Sequence, residues 1–364
     1  MRLGVAGALV DGRIVPGDVD VADGVVQAVG LSTADGRHRI AAPGFIDLQV
    51  NGFGGVDFQD AETGDYERAG AALLETGVTA YLPTFITAPV ERLLEALRRL
   101  PEASAGPRVL GAHLEGPFIS PLRLGTHPAA ARRDPDAALL NRLLDAGPVR
   151  IVTLAPELTG ALELIDLARA RGVMISCGHS DATAEQAAAA FDRGARAVTH
   201  IFNAMRPFTH RDPGIAGAAL ARPDVVVQLI ADRVHLAPET VQLVANAAPG
   251  RLALVTDAMA GAGLGDGTYA LGDVAVEVQN GAARRPDGVL AGSVLTMIEA
   301  VRQLHALGTP LPVALSAAST VPARALGLTG VGVLEPGARA DVVVLGDDLR
   351  VEHVLVGGEV LVAC

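Results

Sequence analysis

The 364-residue chain contains no lysine; all 29 of its basic residues other than histidine are arginine. Neither a lysine Schiff base nor a carboxylated lysine bridging two metals can therefore form. Cysteine is scarce, at two residues, Cys177 and Cys364, and no disulfide framework is expected. No apolar stretch reaches the length that spans a bilayer. The start, Met1-Arg2-Leu3-Gly4-Val5, lacks the charged opening, apolar centre and cleavage site of a signal peptide. A soluble, cytoplasmic protein with no membrane partner is the expectation. Positive charge is also in deficit: 29 basic against 41 acidic residues give a net charge of -12. That balance argues against nucleic-acid binding, and it requires a local cationic patch for any anionic ligand. What the chain has in quantity is hydrophobic residue, 50% of the total. This is enough to bury a sizeable core in one large domain or two.

Both ends read as short strands. Val5 to Val10, Arg13 to Val15, Asp18 to Val21 and Val25 to Val29 alternate with Asp11-Gly12 and Asp23-Gly24, and Asp-Gly is a strong hairpin turn signal. The last thirty residues, "ADVVVLGDD" and "VEHVLVGGEVLVAC", have the same character. Neither end is long enough for its own core. The expectation is one small β domain, a sandwich built from residues 1–42 and 335–364, with residues 43–334 inserted between them. The centre alternates apolar runs with helical stretches. The runs are "FIDLQV", "VTAYLPTFI", "RVLGAHLEG", "VRIVTLAPE", "VMISCGHS", "AVTHIFNA", "VVVQLIAD" and "LALVTDAM". Between them lie segments such as "PVERLLEALRRL" and "TAEQAAAAFDRG". Eight apolar strands with helical crossovers predict a closed parallel (β/α)8 barrel, a TIM barrel, with a doubly wound open sheet as the alternative.

Polar residues fall at the carboxyl ends of these runs: Gln49 and Asn51, His113 and Glu115, Glu157, His179, His200, Asp232 and His235, Asp257. In a barrel those ends converge on the catalytic face. Glu115, His179 and His200 supply one carboxylate and two imidazoles, a three-ligand set that leaves a metal position open, as a catalytic zinc site requires. Cys177, two residues before His179, reads as a packing residue. Asp257 ends the last run, where a carboxylate can take a proton from water and pass it to a leaving group. The alternative for Asp257, a helix N-cap, is weakened by the glycine-rich sequence that follows. Gln49 and Asn51 are harder to place. They sit at i and i+2, on one side of a strand end, yet amides are poor metal ligands and poor acids.

These residues fall in motifs that resemble the amidohydrolase superfamily and, within it, the N-acetylglucosamine-6-phosphate deacetylases. "APGFIDLQVNG", "HLEGPF", "GTHPA", "GHSDAT", "THIFNAMRPFTHRDPG", "LVTDAM" and "LAGSVLTM" follow in the family's order, and "ASTVPARALGL" and "GVLEPGARADVVVL" resemble the superfamily's closing segment. Many amidohydrolases carry His-x-His where this chain has Gln49-Val50-Asn51. The resemblance therefore implies one divalent metal, held by Glu115, His179 and His200, beside an emptied second-metal slot. Zinc is expected, with Fe2+, Co2+ and Mn2+ as alternatives.

By the same resemblance Asp257 is the proton shuttle of a metal-assisted amide hydrolysis. Thr126 and His127 in "GTHPA" lie at the substrate, with His127 near the acetamide carbonyl. Asn203 and Ala204 are sugar and phosphate contacts, and His235 is a further substrate histidine. Leu290, Ala291, Gly292 and Ser293 form a loop over the sugar. Arg211 is a phosphate ligand supplied across a homodimer interface. Arginine suits a phosphate through its bidentate fork. One departure stands out: Arg233 occupies a position where the family has glycine. The implied activity is hydrolysis of N-acetyl-D-glucosamine 6-phosphate to D-glucosamine 6-phosphate and acetate. The galactosamine epimer is the nearest alternative, and a catalytically dead binding subunit is the alternative from another class.

Overall fold

The computed structural model describes residues 1–33 and 38–363; Cys364 lies outside the described residues. Eight parallel strands form the barrel wall: β1 (Phe45–Val50), β2 (Val78–Ile86), β3 (Ala112–Glu115), β4 (Val149–Leu154), β5 (Met174–Cys177), β6 (Ala197–Val198), β7 (Val226–Leu229) and β8 (Leu252–Leu254). Each pairs with the next in sequence. Every residue of β1 and β2 is buried, because one face fills the barrel and the other meets the helices. This is the (β/α)8 barrel expected from the sequence.

Helices cross over between the strands. Their apolar residues recur three and four apart and face the strands: Leu93, Leu94 and Leu97 on α2 (Val90–Arg98), Ala187, Ala190 and Phe191 on α5 (Ala184–Arg193). α5 begins at a capping box in which Thr183 accepts from the Gln186 N–H and Gln186 reaches back to Thr183. Such caps fix where each helix starts, and so how long each strand-to-helix loop is.

The barrel closes just beyond β8, through backbone that carries the polar residues. Asp257 N–H donates to the Gln49 carbonyl (2.9 Å), and Asn51 N–H donates to the Ala258 carbonyl (2.8 Å). Below this seam Asp47 accepts from Thr256 Oγ1 (2.6 Å). Burial pushes the Asp47 carboxyl up to about 7, against the hydrogen bond from Thr256 that lowers it.

Strands from both termini share one sheet. In spatial order they are Arg13–Pro16, Gly7–Val10, Ile40–Pro43, Val342–Leu345, Val351–Val356 and Glu359–Ala363. A ribbon of Asp18–Ala22 and Val25–Leu31 packs on it around Val5, Val19, Val26, Val342 and Val344. Ile40–Pro43 runs directly into β1.

One element was not expected. Gly267–Leu271, Val274–Gln279 and Ala282–Arg284 form a three-stranded flap between β8 and α8 (Met297–Ala306). It has its own small core, in which Leu271, Val276, Val278 and Ala283 pack with Ile86, Met259 and Ala291.

Candidate active site

A cavity of about 340 Å³ opens at the carboxyl ends of the strands. Glu115, His127, His179, His200, His235, Asp257 and Asn51 all face it. The sequence scatters these residues over 207 positions; the barrel gathers them because each ends a strand or lies in the loop that follows one.

The centre is a tight cluster. Glu115 Oε1 lies 3.1 Å from His179 Nε2 and 2.9 Å from His200 Nε2, and the two Nε2 atoms are 3.2 Å apart. Burial alone would push the Glu115 carboxyl up, but the imidazoles around it outweigh burial and hold it well below the usual carboxylate range. The His179 tautomer can be deduced. Its Nδ1 lies 2.9 Å from the Arg123 carbonyl, which can only accept, so Nδ1 carries the proton and Nε2 presents a lone pair in the neutral ring. Lone pairs from Glu115, His179 and His200 crowd one point, an arrangement that calls for a cation. A tetrahedral ion with ligands at about 2.0 Å would set its ligand atoms about 3.3 Å apart. The observed spacings of 2.9–3.2 Å suit that geometry. The Arg123 carbonyl supplies the outer hydrogen bond that orients a metal-binding imidazole. Among the described residues, these three are the group whose ligand atoms lie close enough together to hold a metal.

His127 is set the opposite way. The Thr87 N–H donates to its Nδ1 (3.2 Å), and Thr87 Oγ1 lies 2.8 Å from the same atom. Nδ1 is therefore an acceptor and Nε2 bears the proton. Burial pushes the ring down to about 4, so it stays neutral. A neutral donor that cannot easily ionise faces the cavity, 3.5 Å from Glu115 Oε2. Thr87 follows directly on β2 and was not singled out in the sequence. The signal for it lies in His127: a buried imidazole that faces substrate through one nitrogen needs a partner for the other.

Asp257 Oδ1 accepts from Asn51 Nδ2 (2.7 Å) and Gln49 Nε2 (3.0 Å), and Gln49 Nε2 also reaches Glu115 Oε1 (3.0 Å). The two amides thus present their N–H groups to the carboxylates of the site. Burial, and then the charge of Glu115, push the Asp257 carboxyl up to about 6. His235 Nδ1 lies 2.6 Å from Asp232 Oδ2, a carboxylate that also accepts from the N–H groups of Val234 and His235. Nδ1 donates there, and His235 Nε2 is left for the cavity.

The remaining expected residues divide. Thr126, Asn203, Ala204, Leu290 and Gly292 line the cavity. Gly292 has φ 63°, and a Cβ there would meet the Asp257 carbonyl at 3.0 Å, so only glycine fits. Ala291 is buried in the flap core, and Ser293 Oγ donates to the Thr256 carbonyl (2.6 Å); both support the loop without facing the cavity. Arg211 is exposed and does not reach the cavity of its own chain. Arg233 is exposed as well, with φ 61°. The cation at the mouth is Arg123, paired with Asp181 at 2.6 Å. His113 lies outside the cavity: it is buried between the Leu48 carbonyl (3.1 Å) and Thr153 Oγ1 (2.7 Å), and burial pushes it down to about 4.

Among the described residues, six non-glycine residues on this rim have positive φ: His179, His200, Phe202, Ala204, Arg233 and Asp257. Each costs on the order of 1 kcal/mol, and such backbone persists where the surroundings impose it.

Comparisons with known proteins agree with this geometry. The amidohydrolase family model matches residues 40–361. N-acetylglucosamine-6-phosphate deacetylase from Homo sapiens is 44% identical over 344 residues, covering 89% of this chain and 83% of that one. N-acetylgalactosamine-6-phosphate deacetylase from Escherichia coli O157:H7 is 37% identical over 350 residues, 93% of each chain. Among solved structures, an aspartate-to-alanine mutant of N-acetyl-D-glucosamine-6-phosphate deacetylase from Mycobacterium smegmatis, in complex with N-acetyl-D-glucosamine-6-phosphate, superposes with a TM-score of 0.94 at 39% identity. It covers 100% of this chain and 99% of that one. The chain belongs to the amidohydrolase family, in the branch of the N-acetylglucosamine-6-phosphate deacetylases.

Proposed function

We propose that this protein hydrolyses the acetamide of N-acetyl-D-glucosamine 6-phosphate, giving D-glucosamine 6-phosphate and acetate. The observation that carries the reading is the pairing, in one cavity, of a fixed Nε2–H donor on His127 with the free carboxylate oxygen of Asp257, beside the Glu115, His179 and His200 trio. Those are the parts that amide hydrolysis needs.

Glu115, His179 and His200 would hold one divalent metal, and zinc suits their mixed oxygen and nitrogen donors. When bound, such an ion polarises the carbonyl and lowers the pKa of water. Gln49 and Asn51 spend their N–H groups on Asp257 and Glu115, which supports one metal and not two. Asp257 takes a proton from the attacking water on Oδ2, because Oδ1 is occupied by the two amides. The water oxygen adds to the carbonyl carbon while His127 Nε2–H donates to the carbonyl oxygen. Asp257 then gives its proton to the sugar nitrogen as the C–N bond breaks, and acetate and the amine leave. Thr126, Asn203, Ala204, His235 and the Leu290–Gly292 loop are the proposed sugar and phosphate contacts. Ala291 and Ser293 hold that loop in place.

Arg211 is proposed to bind the phosphate of a neighbouring subunit's substrate in a homodimer. Its exposure, and its distance from its own cavity, support that assignment. A cytoplasmic setting fits the buried free thiol of Cys177. The test is acetate release from a panel of N-acetylated sugars, with and without a 6-phosphate. Release from the phosphorylated glucosamine derivative is expected, and none from it would sink the reading. The 37% identical relative named for the galactosamine epimer makes that epimer the second substrate to assay.

A further inference from the structure

The polar side of the cavity accounts for the carbonyl, the water and the sugar. It leaves the acyl substituent unassigned. Six large apolar residues line the same cavity: Ile86, Leu122, Leu124, Leu271, Val289 and Leu290. They are not equivalent. Leu122 is 71% exposed and Val289 39%, so these two stand at the mouth; Ile86 and Leu271 are each 2% exposed and belong to the closed side.

Ile86 is placed by the barrel. It is the last residue of β2 and pairs in register with Glu115 on β3, so both side chains project to the same side of the sheet. The next residue, Thr87, holds His127. Leu271 is placed by the flap. It ends the first flap strand, and a Cβ built on its neighbour Gly272 would lie 3.6 Å from Ile86 Cδ1. The flap tip is fastened to the barrel at this point. Gly272 N–H donates to the half-buried Asp57 Oδ2 (2.6 Å), and Arg92 pairs with Asp273 (2.7 Å). The two side chains share the small flap core and meet the cavity as one surface.

The direction of the acyl group follows, on the deacetylase reading above. Its carbonyl oxygen must face His127 Nε2. The sugar must run toward the mouth, the one direction with room for it. The remaining substituent on the carbonyl carbon then points to the closed side. We propose that Ile86 and Leu271 form the wall that receives the acyl substituent and set the length of acyl group that this enzyme removes. Half of the wall is part of the barrel, and half hangs on an inserted flap.

The test is a series of glucosamine 6-phosphates carrying N-formyl, N-acetyl, N-propionyl and N-butyryl groups. kcat/KM is measured for each with metal-loaded wild type, Ile86→Ala, Leu271→Ala and Leu271→Phe. Wild type should lose about 10-fold or more for each methylene beyond acetyl, the discrimination a closed apolar pocket gives. Either alanine variant should flatten that decline, and Leu271→Phe should shift preference toward formyl. The ratio within the series separates a wall from a general loss of activity, and the two Leu271 variants push it in opposite directions. A wild-type series that does not decline, or Leu271 variants that keep the wild-type ratios, would overturn the wall and leave the deacetylase reading intact. Wild type that releases no acyl group from any member removes the reading itself, and the wall with it.

Discussion

Two regions of this molecule place non-glycine residues at positive φ for two different reasons. In the terminal sheet and the ribbon on it, Asp11 and Asp23 have φ of 47° and 53°, each followed by a glycine with positive φ, at the tips of two-residue hairpins. Aspartate tolerates that backbone, and the turn demands it. On the barrel rim Phe202, Ala204 and Arg233 have φ of 74°, 48° and 61°, and none of these residue types favours that backbone. The first group is cheap and local. The second is held by the barrel around it. Strain at the rim therefore marks where the fold gives up stability to aim side chains.

The largest expected effect tests the rim as an aimed site. Asp257→Asn should cut kcat by roughly 10²–10⁴-fold, the usual contribution of a general acid-base group. Circular dichroism should show the fold unchanged and elemental analysis the metal retained. Turnover near that of wild type would remove Asp257 from proton transfer. Metal content sharpens the contrast further. One equivalent of zinc per chain is expected, and stripping it with a chelator should lower the thermal midpoint, because a ligand bound only by the folded state stabilises it. Two stoichiometric metals after metal-replete purification would contradict the role given to Gln49 and Asn51.

Arg211→Ala should weaken binding of the phosphorylated substrate by roughly 1.5–3 kcal/mol, the range for a hydrogen bond to a charged group. Activity on the unphosphorylated sugar should scarcely change. Mixing this variant with Asp257→Asn should restore activity, since one hybrid site then holds Asp257 from one chain and Arg211 from the other. An inactive mixture with verified subunit exchange would confine Arg211 to its own chain. The smallest effect separates the two kinds of strained backbone directly. Arg233→Gly should stabilise the protein by about 1 kcal/mol, since a left-handed residue costs about 1–2 kcal/mol and glycine returns some of this as chain entropy. Asp23→Gly should change stability by less than about 0.5 kcal/mol. Chemical denaturation of the pair compares them, and equal shifts would erase the distinction.

The same contrast explains what could be read in advance. Hairpin tips are written as Asp-Gly, and barrel strands as apolar runs, because one local cause fixes each. Glu115, His179, His200 and Asp257 were legible because each follows its run in the same phase. Thr87 was not, because a threonine after a strand looks like any other; its role exists only once His127 arrives from 40 positions away. The placement of Arg211 outside its own cavity, and the pairing of Arg123 with Asp181, depend on loop paths that no local pattern encodes. The flap is a different case. Val274–Gln279 alternates and is followed by Asn280-Gly281, a hairpin signal as good as those at the amino terminus. It follows a glycine-rich stretch that by itself reads as loop.

The seam that closes the barrel also has a temporal consequence. Gln49 and Asn51 meet Asp257 across 208 and 206 positions of chain. Contacts that distant form only after a long loop has been closed, which makes them slow and late. The first and last strands join through the residues that hold the proposed proton carrier. A nascent chain that has not yet emerged past residue 258 thus has its three proposed metal ligands without the seam that holds the proposed proton carrier. Hydrolytic competence arrives only with completion of the barrel.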